Sequence, residues 1–325
     1  MTILQFYTRV AFNALTVTSK PFRSSLRWLH LIEDTDKQSS QVQGIVVLAG
    51  KLYVTRREAD LIEMYFASTP YHFVGVILLP DLYVFTDLLD PALVTLPQST
   101  NQPNTSSIYA TDAVEMQRIR VPWCLAACLY MNAIYAGRGR GIWKIVDDES
   151  SKVWLRLEQD ILRSITVTTG GMLIILVKRH DDEHLGTVHM CNYDGEYITT
   201  VALPDYIRNP ENVLLTDKDT LLVCHSSRKH KLSLISQFSF FGEFLTCSKN
   251  IELDRPLHFV SVGDDILVVV DCGNERLVMI DTNLKQRRVL LEHAAMTRVF
   301  YDATTGQLYV GLVSGDIELY QLVSM

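Results

Sequence analysis

The sequence predicts an all-β fold, a single β-propeller of four-stranded antiparallel blades. Two observations carry that expectation. Short β-branched and aromatic runs recur along the chain: "KLYVTR" at 51, "AIYAGR" at 133, "MLIILVKR" at 172, "LLVCHS" at 221, "ILVVVD" at 266 and "QLYVGL" at 307. Each is too short for an ordinary helix and the right length for a strand. The second observation is spacing. The runs return about every 42 residues, the period of a four-stranded repeat unit. Each small sheet is apolar on both faces and cannot bury them alone, whereas packing sheet against sheet around an axis does.

Taken in order, residues 1–43 form an N-terminal segment and residues 44–325 the propeller. Upstream of each run lies another that ends in a polar turn, as in "GIVVLAG" (44), "CLAACLY" (124), "SITVTTG" (164) and "FVSVGDD" (259). Downstream comes a third, as in "LIEMYFA" (61), "GIWKIVD" (141) and "RLVMIDTN" (276), and often a fourth, as in "HFVGVILLP" (72) and "YITTVALP" (197). The stretch 81–121, containing "DPALVTLPQSTNQPNTSSIYATDAVEMQRIR", reads as strand, polar loop and two strands. Counted as a degenerate blade it makes the ring seven-bladed; taken as an insertion it leaves six. The last repeat stops at "YQLVSM" without a fourth strand, and a ring left open there would expose strand edges. A strand from the N-terminal segment, "ILQFY" or "LRWLHLIE", is therefore expected to close it.

Hydrophobic residues make up 48% and charged residues 21%, the balance of a globular chain, and the net charge of −7 argues against wholesale binding to nucleic acid or membrane. No window reaches the roughly 18–20 apolar residues of a membrane span. The six cysteines are spread thinly and sit in or beside apolar runs, which points to reduced, buried thiols and a cytoplasmic setting. One feature points elsewhere: residues 1–32 hold no acid and carry Arg9, Lys20, Arg23 and Arg27, the composition of a mitochondrial presequence.

"RPLHFVSVGDDILVVVDCGNERLVMID", within residues 256–283 and just before, carries a Pro, a strand, a turn, and an apolar strand ending in Asp271, then Asn274 and Arg276. This resembles the NHL repeat, a propeller-blade family that includes the propeller ends of TRIM-type ubiquitin ligases. The resemblance implies a propeller, usually of six blades, used mostly as a binding platform. A minority of similar propellers are enzymes with metal-ligating His residues. In the turn, Gly273 and Asn274 are the residues expected to take φ > 0, with Asp271 and Arg276 paired across the hairpin mouth. Cys272 has no His or Cys partner at catalytic spacing and reads as part of a turn.

Other clusters read as structure. "RHDDEHLGTVH" (179–189) joins two strands and is expected to be a charged loop, since His at i and i+4 share a metal only on a helix. Cys124 and Cys128 of "CLAAC" fall on one side of an inner strand. "GRGRG" (137–141) runs from strand to strand, with no helix start to hold a phosphate. No catalytic residue, metal site or cofactor is expected. The informative pattern is topological: the loops joining second to third strands open on one face and carry Arg56, Arg57, Arg138, Arg140, Arg228, Lys229 and Lys231. The expected function is a non-catalytic interaction platform that binds an acidic or phosphorylated peptide on that face. RNA is a second ligand class, and no membrane partner is expected. The alternative is a propeller hydrolase or lyase with a metal at the axial pore.

Overall fold

A computed structural model describes residues 24–32, 40–57, 59, 61–68, 71–79, 124–146, 150–179, 182, 184–227, 232–263, 265–292 and 295–324. The "ILQFY" alternative, most of the presequence-like region, the stretch 81–121, and Arg228, Lys229 and Lys231 lie outside these residues.

Strand β1 (Ser24–Ile32) comes first. The first sheet is then a meander of β2 (Val42–Leu48), β3 (Lys51–Arg56), β4 (Leu61–Phe66) and β5 (Phe73–Leu78). The second is β6 (Cys124–Cys128), β7 (Ala133–Arg138), β8 (Gly141–Val146) and β9 (Ser150–Arg156). The third runs β10 (Ile161–Val167), β11 (Leu173–Lys178), β12 (Gly186–Cys191) and β13 (Tyr197–Ala202), and the fourth β14 (Pro210–Leu215), β15 (Thr220–Ser227), β16 (Leu232–Ser239) and β17 (Phe244–Cys247). The fifth is β18 (Pro256–Ser261), β19 (Ile266–Asp271), β20 (Arg276–Asp281) and β21 (Arg287–Glu292). The sixth joins β22 (Met296–Asp302), β23 (Gln307–Leu312) and β24 (Ile317–Ser324) to β1, in the order β1-β24-β23-β22. The segment "LRWLHLIE" thus supplies the closing strand, antiparallel to β24, with Ser24 opposite Ser324 and Ile32 opposite Ile317.

The first strand of each sheet lies innermost. β2 packs against β6, β6 against β10, β10 against β14, β14 against β18, β18 against β22, and β22 against β2. β2 and β6 touch directly, and the described residues form six blades. The six-bladed alternative holds. The second strands are the most buried, as their continuous apolar runs require: β7 and β19 are buried at every position. Clusters such as Val46, Ile62, Ile134 and Trp143 lie between neighbouring sheets rather than within one. Glycine permits the closest approach at one such seam, where a Cβ on Gly137 would meet Leu162 Cδ2 of the third sheet at 2.1 Å.

The turn after β19 departs from expectation in one detail. Cys272–Asn274 form a single 3-10 turn, and the left-handed residue is Glu275 (φ 50°), not Gly273 or Asn274. Gly273 is needed for room instead: a Cβ there would come within 2.3 Å of Asp254. Asp271 is fully buried and organises the turn. Its carboxylate accepts from Asn274 Nδ2 (2.8 Å), Arg276 Nε (2.7 Å) and the Asp254 backbone N–H (2.6 Å).

Candidate functional site

In an antiparallel meander the inner strands begin at the end of the ring where second strands turn into third strands. Five of the six inner strands carry a register shift at this same place: Val42/Gly44, Leu162/Ser164, Pro210/Asn212, Pro256/His258 and Met296/Arg298. A bulge bends its strand and re-aims the side chains beside it. Here it brings polar residues of separate sheets to one level of the axial channel: Arg163, Glu211, Asn212, His258 and Arg298, with Cys124 beginning β6.

These groups stitch neighbouring sheets into a belt. Arg298 Nε donates to the Gln43 carbonyl (2.7 Å), and Thr297 Oγ1 donates to that of Val42 (2.8 Å), tying the sixth sheet to the first. Cys124 Sγ donates to the Arg163 carbonyl (2.9 Å). Arg163 Nη2 reaches both oxygens of Glu211 (2.9 and 3.0 Å), and Asn212 Nδ2 donates to Ser164 Oγ (2.8 Å). Cys224 Sγ points at the Leu257 carbonyl (3.7 Å), and His258 is hydrogen-bonded to the Val299 backbone. The channel that the belt rings has a volume of about 310 Å³ and is lined by all six inner strands.

Burial governs the electrostatics. It pushes the Cys124 thiol up to about 12, against the pull of Arg298 and Arg163. Burial drags His258 down to about 3, with the charge of Arg298 acting in the same direction, so the imidazole is neutral at pH 7. Arg298 is itself lowered by burial, yet a guanidinium stays charged in proteins. The belt therefore holds two cations, Arg163 and Arg298, against the single carboxylate Glu211. Burial also raises the Cys191, Cys224 and Cys272 thiols, and all six cysteines are free. Among the described residues no three His, Cys, Asp or Glu side chains converge as a metal-binding set.

The residues singled out in the sequence are placed differently from one another. Arg56 is 4% exposed and committed to the interior, bonded to Glu63 (2.8 and 3.0 Å) and to the Gly315 carbonyl of the sixth sheet. Arg138 is 2% exposed. Arg57 lies at the surface, and Arg140 is half-buried in the two-residue hairpin it forms with Gly139 (φ 60°). In the "RHDDEHLGTVH" stretch, Asp182 pairs with Arg208 (2.8 Å), His184 with Asn209 (2.9 Å) and His189 with Thr200 (3.1 Å), so His184 and His189 look to separate partners. Cys124 and Cys128 share one core cluster. The belt residues escaped sequence reading, although each is a polar interruption at the start of an apolar run, as in "ILRS", "PENV", "PLHF" and "MTRV".

No protein-family profile matches this chain, and no curated protein matches it in sequence. Solved structures do match in shape. The WD40 propeller domain of Doa1 superposes with a TM-score of 0.55 at 9% identity, over 91% of this chain and 97% of that one. Virginiamycin B lyase from Staphylococcus aureus gives 0.55 at 14% identity, over 92% and 100%. A protein of unknown function from Bacteroides caccae gives 0.53 at 12%, over 84% and 82%. The chain is a six-bladed β-propeller. Identities this low establish the fold alone, and the propeller's function has to be argued from its own residues. No helix among the described residues is long and apolar enough to cross a membrane.

Proposed function

We propose that this propeller is a non-catalytic interaction module that takes an anionic ligand at the belt end of its axial channel. The observation that carries the reading is the excess of buried guanidinium over carboxylate there. Arg163 and Arg298 answer to Glu211 alone, in a setting where water screens charge poorly. Low local dielectric makes such an imbalance a strong attractor for an anion. The surrounding second-to-third-strand loops widen the same face, and Arg57 and Arg140 stand on it. The NHL-like pattern at 256–283 supports the same reading, because its Asp271, Asn274 and Arg276 are spent on holding a turn and leave the blade a scaffold.

The competing hydrolase or lyase reading needs three converging metal ligands at the pore, a set absent among the described residues. Binding to acidic peptides, phosphopeptides and RNA at two salt concentrations tests the proposal. Salt-sensitive binding that is lost in Arg163→Gln and kept in the double variant Arg57→Ala/Arg140→Ala is the expected result. Binding lost only in the double variant would move the site from the channel to the loops.

A further inference from the structure

Arg163 and Arg298 stand on opposite sides of the ring. Arg163 belongs to β10 and Arg298 to β22, and these inner strands are three places apart in a circle of six. Both residues line the channel. Each spends only part of its guanidinium on the protein. Arg163 donates through Nη2 alone, to Glu211, and Arg298 donates through Nε and Nη1, to the carbonyls of Gln43 and Thr297. Arg163 Nη1 and Arg298 Nη2 therefore keep free hydrogens. Neither atom is sealed from solvent, whereas Arg163 Nε is.

The two cations face one space and are unevenly neutralised. Burial lowers Arg298, and the charge of Arg163 adds to the effect. Such repulsion is strongest where water is scarce. His258 and Cys124 are neutral at pH 7 and do not offset it. Besides Glu211, the channel wall carries one carboxylate, Asp302. It ends β22, about 13 Å along the strand from Arg298, and is bonded to Thr304 and Thr305. The belt end thus holds two positive charges and one negative.

We infer that a compact monovalent anion sits between Arg163 Nη1 and Arg298 Nη2 and clamps opposite sides of the ring. One negative charge neutralises the belt end, and a divalent anion leaves it overcompensated. The anion has to be compact, since it meets both nitrogens inside a channel of about 310 Å³. Because the two arginines come together only in the closed ring, the anion binds the folded chain and not the unfolded one, so stability rises with the logarithm of its concentration. The inference rests on the reading of the belt as an anion site and adds the charge of the ligand and its effect on the fold.

Thermal melting of the intact chain in sodium formate, nitrate, chloride or sulfate tests this, at equal anion concentration and with sodium gluconate holding the ionic strength constant. Salts excluded from the protein surface shift every variant alike, so the quantity read is the rise over gluconate that Arg163→Gln abolishes. It is expected to reach about 2 °C at about 0.1 M for at least one of formate, nitrate and chloride, and to be smaller for sulfate. Glu211→Gln raises the net charge of the belt end from one to two and is expected to reverse the order, with sulfate leading. Loss of a merely structural ion pair would not reverse it. No rise over gluconate in the wild type, a rise that Arg163→Gln keeps, or sulfate leading in the wild type would each overturn the inference. Should Arg163→Gln fail to fold, the order of the anions in wild type and Glu211→Gln decides alone. Peptide or RNA binding that depends on Arg163, with no anion-specific rise in melting, would leave the anion reading standing and remove only this inference; absence of both removes both.

Discussion

His225 and His258 show how burial sets pH dependence one residue at a time. His225 is 3% exposed, its Nε2 sits 2.9 Å from Ser236 Oγ, and burial draws it down to about 4; His258 goes to about 3. An unfolded chain binds those protons near pH 6.5. Between about 6.5 and 4 the unfolded state therefore takes up protons that the folded state refuses, and stability falls as pH falls through that window. Thermal melts from pH 7.5 to 4.5 are expected to show a steadily declining Tm, with a shallower decline in His225→Gln. Asp182 and Asp265, held below 3.8 by their hydrogen bonds, give up their contribution only at lower pH and leave the window clear. Asp271 is a different case, a buried carboxylate that three donors need. Asp271→Ala strands Arg276 and is expected to cost about 2–4 kcal/mol in denaturant unfolding, against about 1–3 kcal/mol for Gly273→Ala, whose Cβ strikes Asp254. The carboxylate–arginine pair was legible in the sequence because the two residues face each other across one hairpin. The left-handed Glu275 was not, because the requirement on Gly273 comes from Asp254, nineteen positions before it.

Single strands were read with most success where their environment is local. The second strands, apolar on both faces, announce themselves. The polar belt does not, since its members come from different blades and are re-aimed by bulges that no local pattern marks. Arg56 shows the same reason at a loop: it looks free in "TRREAD", yet its partners are Glu63 on the next strand and the Gly315 carbonyl between β23 and β24. At this scale β1 is the element under most strain of dependence. Without it β24 becomes an open edge. A chain starting at Gln41 is expected to melt at lower temperature and to self-associate on size exclusion; unchanged melting and elution would show that the sixth sheet stands on three strands.

For the molecule as a whole, the ring count could not be settled from runs and spacings, because a polar stretch with strand-like pieces occupies one full period. Contact between β2 and β6 settles it. The same closed packing shields the thiols: Cys124, Cys128, Cys191 and Cys224 are buried, whereas Cys247 and Cys272 are half-exposed. A thiol reagent is expected to modify Cys247 and Cys272 of the native chain first and to reach the other four only on unfolding. Early loss of Cys124 would mean that the belt end of the channel opens widely in solution.

The pairing of Ser24 with Ser324 has a consequence for how the chain is wound. The start of β1 lies beside the end of β24, close enough for an ordinary hairpin to join them. A rearranged gene that starts at Cys124, continues through β24, turns directly into β1 and ends after β5 would write every blade as an uninterrupted meander. Its two ends would fall at the seam between the first and second sheets, where β2 packs against β6.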